Sequence, residues 1–197
     1  VESIFENKKQ ILEINAALNE KLVEIEDAVD DTSTLILDFN DSDEASEIKA
    51  LTAAAKVGES LDTSLMSVVS VSDSFLKTQT LSRSETIGSE VKLLIERIQN
   101  ENTEMLNAAD GKDDSGALEE ASENIESLAS VLLGSSGIVA LHNQRLALQN
   151  QANETLQTAI NQMESASAQL DQVAALGDKK TESIKAEVSD SVASSRV

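Results

Sequence analysis

The sequence predicts an all-α fold, an elongated antiparallel bundle of up-and-down helices. Three observations predict it. The 197 residues include no proline and only seven glycines, so little interrupts a helix. Leu, Ile, Val and Ala recur every three or four residues, which is the spacing of one helix face. Aromatic residues make up only 2% of the chain, so the core must be a thin aliphatic seam, as in coiled coils and slender bundles.

The first long helix is predicted over Glu2–Phe39, because its apolar residues stay on one stripe throughout. The run Asn40-Asp41-Ser42-Asp43 then combines turn formers with an N-cap at Ser42. A second helix is predicted from Ala45 to Lys77. Gly58 is the weakest point of that helix, since glycine is a poor helix former.

Ser82 and Glu85 have the form of a capping box, which predicts a helix that begins at Ser82 and continues to Leu106. The acidic, glycine-containing stretch 110–116 is the clearest loop in the chain. A short helix is predicted over Ala117–Leu133, ended by Gly134-Ser135-Ser136-Gly137.

The last segment has the most regular pattern, with a seam position every three or four residues from Leu141 to Val173. Gly177 is expected to kink it. Breaks near residues 41, 80, 113 and 136 give five helices. One more reversal, at Gly58, would give six helices and two stacked four-helix modules that share long helices. We treat residues 1–197 as a single helical domain with these two modules.

Charge and composition exclude several classes of function. Thirty-six acidic against fifteen basic residues leave a net charge of −21, which repels nucleic acid and anionic lipid. That acidic exterior either keeps a thin bundle soluble or attracts a cationic ligand. One histidine and no cysteine exclude two-histidine and thiolate metal sites. The chain also lacks a phosphate-loop motif and a nucleophile elbow. We therefore expect no enzyme activity, no cofactor, no metal and no nucleic-acid partner.

The polar run His142-Asn143-Gln144-Arg145 interrupts the apolar seam of the last segment, and Arg145 falls on the seam itself. A buried guanidinium needs a partner. One interpretation is that Arg145 and His142 bind the carboxylate of a small ligand between helices. The other is an internal salt bridge to one of the acidic residues. Arg83, near the start of its helix, either contacts the same ligand or lies on a loop.

The chain resembles one family in four features. They are uninterrupted helices, the absence of cysteine, a long final helix, and ends at Val1 and Val197 that lie within helical patterns. It is the extracytoplasmic sensor domain of bacterial methyl-accepting chemotaxis proteins, of the helical bimodular or four-helix-bundle type, or of related sensor kinases. The resemblance implies the periplasmic part of an inner-membrane receptor, which forms a homodimer and reaches the membrane through flanking segments. It also implies a small ligand, an organic acid or an amino acid, and signalling by a helix shift.

Two other classes share features of this sequence. A structural or secreted helical protein of flagellin type has the same proline-free composition, poor in aromatic residues and rich in Ser, Asn, Gln and Ala. A cytoplasmic helical scaffold would show the same periodicity. Hydrophobic spans before Val1 and after Val197 in the full-length protein would distinguish the receptor from both.

Overall fold

The computed structural model describes residues 2–195, which contain six helices and no strand. The helices are α1 (Glu2–Asn40), α2 (Asp43–Glu47), α3 (Lys49–Leu76), α4 (Leu81–Ala109), α5 (Ala117–Leu133) and α6 (Ile138–Ser194). The predicted all-α fold is confirmed. The chain divides into two units, Val1–Asn150 and Gln151–Val197.

The first unit is a four-helix bundle around one aliphatic core. Helix α1 packs against α3 and α5, and α4 packs against the same two helices, which closes a ring of four. The first turns of α6 lie on the same side of the ring as α5, because Val139 is next to Gly88 of α4 and Arg145 contacts Asn15 of α1. Helix α5 and the start of α6 together therefore fill the fourth position of the bundle.

The predicted breaks near residues 41, 80, 113 and 136 all fall in connections between helices. The predicted N-cap at Ser42 is confirmed, since its hydroxyl accepts a hydrogen bond from the Ala45 amide at 3.1 Å. The predicted N-cap at Ser82 is wrong. The cap of α4 is Thr80, which has an extended backbone and accepts from the Arg83 amide at 3.3 Å. Ser82 already lies inside the helix, one residue after its start.

The predicted reversal at Gly58 is also wrong, because α3 runs through it without a break. A Cβ at position 58 would lie 3.0 Å from Asn40 Oδ1 and 3.1 Å from Ile36 Cγ2. Glycine therefore serves here to let α1 and α3 approach closely. The break in this segment occurs instead at Ile48, an extended residue between α2 and α3. Without a reversal at Gly58, the arrangement of two stacked modules loses its basis, and the first unit is one bundle.

The buried face of α6 differs by one residue from the predicted seam. Ile138, His142 and Leu146 are buried, whereas Arg145 is only half-buried. In the second unit, none of the described side chains from 151 to 195 is buried. The predicted seam residue Met163 is 73% exposed and Leu170 is 70% exposed. The helix assignment of α6 continues through Gly177, where a kink was predicted.

One window of 18 residues within Ala117–Val192 is long and apolar enough to span a membrane by length and composition alone, and 33% of it is buried. Core helices of soluble bundles meet the same criterion.

Candidate ligand site at the connection between α3 and α4

The connection between α3 and α4 consists of residues 77–80. Lys77 ends α3 in helical geometry, and its amide donates to the Asp73 carbonyl at 3.3 Å. The Thr78 amide donates to the Phe75 carbonyl at 3.1 Å. The negative end of the α3 dipole and the positive end of the α4 dipole therefore meet at this connection.

His142 of α6 is fully buried beside this connection. Its Nε2 lies 2.7 Å from Thr78 Oγ1, and its ring contacts that of Phe75 with centroids 4.7 Å apart. The Thr78 hydroxyl donates its only proton to the Phe75 carbonyl, at 2.8 Å. His142 must then be the donor to Thr78, which places the ring proton on Nε2.

The other ring nitrogen of His142, Nδ1, is buried and has no hydrogen-bond partner among residues 2–195. Burial, together with the positive charge of Arg145, lowers the pKa of His142 to about 4. Both causes disfavour the charged imidazolium. His142 is therefore neutral at physiological pH and acts as a fixed hydrogen-bond donor to Thr78.

Two further residues of α6 bind the same region. Asn143 Oδ1 accepts a hydrogen bond from Ser84 Oγ, a fully buried hydroxyl in the first turn of α4, at 2.6 Å. Arg145 donates from Nη2 to the Leu76 carbonyl at the end of α3, at 3.1 Å. A cation is favoured at this position because the last carbonyls of a helix carry partial negative charge.

Arg145 also donates from Nη1 to Asn15 Oδ1 of α1, at 3.3 Å, while its Nε has no partner. Burial lowers the pKa of the guanidinium, which nevertheless stays charged at neutral pH. Within residues 2–195, no acidic side chain forms an ion pair with Arg145. The internal salt bridge that the sequence suggested is thus replaced by a helix C-terminus and an amide oxygen.

An open cavity of about 430 Å³ lies against the connection. Its polar lining comprises Lys77, Thr78, Gln79, Thr80, Arg83 and Ser74. Lys77 forms an ion pair with Asp73, and Arg83 is exposed and forms no ion pair within the described part of the chain. The amides of the first turn of α4 add positive potential. This lining suits a small anion, and the volume is in the usual range for small-molecule sites, about 300–1,000 Å³.

The structure brings the three predicted site residues to one region but gives them different positions. Arg83 lines the cavity directly. His142 lies behind the cavity wall and contacts it through Thr78, whereas Arg145 binds the Leu76 carbonyl, which is next to the wall in sequence but does not line the cavity. Whether any of the three contacts a ligand stays a prediction.

Sequence reasoning missed the residues with which this polar cluster pairs. The stretch Thr78-Gln79-Thr80 is entirely polar, and two of its three residues are β-branched. That composition was the one available signal of a cavity lining. Asn15 gave none, because a polar residue among the first turns of a long helix is ordinary.

No family model matches this chain, and neither a curated protein nor a solved structure is significantly similar to it.

Proposed function

We propose that this chain is the ligand-binding sensor domain of a bacterial transmembrane chemoreceptor and lies on the periplasmic side of the inner membrane. We further propose that it binds a small anionic metabolite, an organic acid or an amino acid, in the cavity beside residues 77–80. The observation that carries this proposal is the set of three contacts from His142, Asn143 and Arg145 to the ends of α3 and α4. The contact of His142 with Thr78 joins the cavity wall to the long last helix, and the other two contacts hold that helix to the ends of α3 and α4 beside the cavity.

The charges at the cavity support an anionic ligand. The chain as a whole carries a net charge of −21, yet Arg83, which forms no ion pair within the described residues, lines this cavity together with the first turn of α4. Charge-assisted hydrogen bonds from Arg to a carboxylate are short and directional. The Thr80 hydroxyl lines the same cavity and keeps its proton free to donate to a carboxylate, because it accepts from the Arg83 amide.

A route from ligand to helix follows from Thr78. Its hydroxyl oxygen accepts from His142, so a ligand that draws Thr78 toward the cavity weakens or displaces this contact. A ligand shifts a conformational equilibrium only by its difference in affinity for the two states. The ligand-bound state would have different hydrogen bonds at the start of α6, so α6 could change position. A helix shift of this kind is the signalling step that the proposed receptor would use.

The second unit supports the homodimer that the receptor interpretation requires. From Leu156 to Val192, nine large apolar side chains of α6 are between 40% and 73% exposed. They recur at steps of three, four, seven or eight residues, the pattern of a helix that packs against another helix. We propose that the partner is a second copy of the chain. Light scattering should then give a dimer, and Leu170→Glu should shift it toward monomer. A monomeric wild-type protein would contradict this part of the proposal.

The ligand site is tested by titrating the purified protein with succinate, malate and aspartate in a calorimeter and in thermal-shift assays. The critical variant is Arg83→Ala, and its matched control is Arg97→Ala, another exposed arginine on the same helix that does not line the cavity. At least one carboxylate should bind saturably. Loss of one charge-assisted contact should weaken its binding about tenfold or more in the Arg83 variant alone.

Two results would count against the proposal. Equal weakening by Arg83→Ala and Arg97→Ala would indicate general screening of the acidic surface rather than a site. Saturable binding by none of the carboxylates would favour the structural or scaffold classes, in which a helical bundle needs no ligand.

A further inference from the structure

The exposed apolar stripe of α6 has the register of a coiled coil. Of the nine large apolar side chains exposed between Leu156 and Val192, six fall on two positions of one seven-residue repeat. With the repeat written abcdefg, position d holds Leu156, Met163, Leu170 and Ile184, and position a holds Ile160 and Val188. The repeat extends from Asn153 to Ser191, which is about 57 Å of helix. A heptad pattern sustained over this length is typical of a coiled coil.

The charged residues of the stripe select this register over its neighbour. Rotating the core by one residue would exchange Ile160 for Ala159 and would place Lys180 and Glu187 in the core. Burying a charged side chain is costly unless it is paired. With Asn153 at position a, both charged residues instead lie at position g, on the edge of the stripe.

We infer that residues 153–191 of two copies of the chain form a parallel, two-stranded coiled coil, in which Asn153 of one copy pairs with Asn153 of the other and fixes the register. This inference rests on the homodimer proposed above and specifies the orientation and alignment of its two helices.

The shapes of the core side chains favour two parallel strands. A β-branched residue at position a with leucine at position d is the combination typical of parallel dimers. Three residues at position a are β-branched: Ile160, Thr181 and Val188. Three residues at position d are not: Leu156, Met163 and Leu170. Ile184 is the one β-branched residue at position d.

Asn153 sets the alignment of the two copies. Its side chain is exposed in the single chain and occupies position a, three residues before Leu156. In an aligned parallel pair the two amides face each other, and each can donate to and accept from the other. A shift by one heptad would place Asn153 opposite Ile160 and leave the amide unpaired in an apolar layer. Asparagine at a single position a fixes register and oligomeric state in this way, at a cost in stability.

The charges at the edges of the stripe also favour the parallel orientation. Position e holds Glu164, Asp171 and Asp178. In an antiparallel pair that overlaps the whole stripe, position e faces position e, so Glu164 lies opposite Asp178, and Asp171 opposite its own equivalent. In a parallel pair these acids face the uncharged residues of position g, which are Ala159, Ala166 and Val173. Like charges then meet only where Lys180 faces Lys185.

Disulfide crosslinking tests the orientation, because the chain has no cysteine of its own. Ser167→Cys places a thiol at position a, where residue 167 faces its equivalent in an aligned parallel pair. The matched control is Ser165→Cys, which changes another exposed serine, at position f on the outer face. With oxidised glutathione, Ser167→Cys should form a covalent dimer at least tenfold faster than Ser165→Cys.

A mixture of two variants identifies the antiparallel alternative. In the antiparallel pair residue 167 faces residue 177, where an added Cβ meets no atom within 4 Å in the single chain. Ser167→Cys protein is mixed with Gly177→Cys protein, oxidised, and analysed by peptide mass spectrometry. Disulfides should join 167 to 167 and 177 to 177, and none should join 167 to 177.

The role of Asn153 is tested by Asn153→Leu, with Asn161→Leu as the matched control at the outer position b. Asn153→Leu should lower the dissociation constant of the dimer about tenfold or more and should produce species larger than a dimer in light scattering. Asn161→Leu should do neither.

The outcomes separate this inference from the proposed homodimer. A monomeric wild type would overturn both. A stable dimer that crosslinks 167 to 177, or in which the two serine variants react equally fast, would overturn only the parallel alignment. Equal dissociation constants for Asn153→Leu and Asn161→Leu would overturn the role of Asn153 in fixing the register.

Discussion

His142 makes the free energy of unfolding depend on pH through a single buried side chain. Its pKa is about 4 in the folded protein against an ordinary value of 6.5. Between these values the unfolded chain binds a proton that the folded chain does not, so stability is lost as the pH falls. At about 1.36 kcal/mol per pH unit, the loss reaches about 3 kcal/mol by pH 4.

The measurement must separate the contribution of His142 from those of the other ionisable groups, which include 36 carboxylates. The control is His142→Gln, which keeps a side-chain N–H for Thr78 but does not titrate. Urea unfolding is followed by far-UV circular dichroism from pH 7 to pH 5, above the isoelectric point of about 4.2. Over this interval the wild type should lose about 2 kcal/mol more than the variant, because contributions common to both chains cancel.

A second measurement reads the pKa directly. The chain has one histidine, so its ring signals in a carbon–proton correlation spectrum need no assignment. The ring should stay neutral down to about pH 4 and show the Nε2–H tautomer, as the contact with Thr78 requires. Titration near pH 6.5, or parallel stability curves for wild type and His142→Gln, would refute the argument that burial controls this residue.

Two further substitutions test the packing around the same region by urea unfolding. Arg145→Ala should cost about 1–2 kcal/mol, because it removes charged hydrogen bonds to neutral, half-hydrated acceptors such as the Leu76 carbonyl. A loss of about 3–5 kcal/mol would instead indicate that it strands a buried carboxylate. Gly88→Ala should stabilise the protein by about 1 kcal/mol through helix propensity, since the new Cβ would lie 3.5 Å from both Phe75 and Val139, an ordinary contact. Destabilisation would show that α4 and α6 pack more tightly there than the structure indicates.

The sequence was a good guide to where helices end in polar connections. Residues such as Ser42 and the stretch 110–116 interrupt helices by local chemistry, which acts through hydrogen bonds between near neighbours and can be recognised without tertiary information. Gly58 and Ile48 were misjudged for the opposite reason. Glycine is required at position 58 because α1 approaches α3 closely there. Ile48 is extended although no turn former lies beside it in the sequence.

The candidate site was predictable in part. A polar run within an apolar seam correctly marked His142 and its neighbours as unusual, because burying such groups requires partners. The identity of those partners depends on which helix end meets α6 in space. The half-buried position of Arg145 depends on a rotation of α6 by one residue relative to the predicted seam. Both the choice of partner and the rotation of α6 depend on tertiary packing. The periodicity of the sequence alone therefore could not predict them.

Two helices, α5 and the start of α6, share the fourth position of the bundle. The rotation of α6 about its axis can therefore differ from that of α5. Each residue turns a helix by about 100°, so a one-residue change of length within 134–137 would leave the face of α5 in place and redirect every side chain of α6. The hydrogen bonds to Thr78, Ser84 and Leu76 are what fix that angle. Torque applied to α6 is therefore resisted at the ends of α3 and α4, through these three hydrogen bonds.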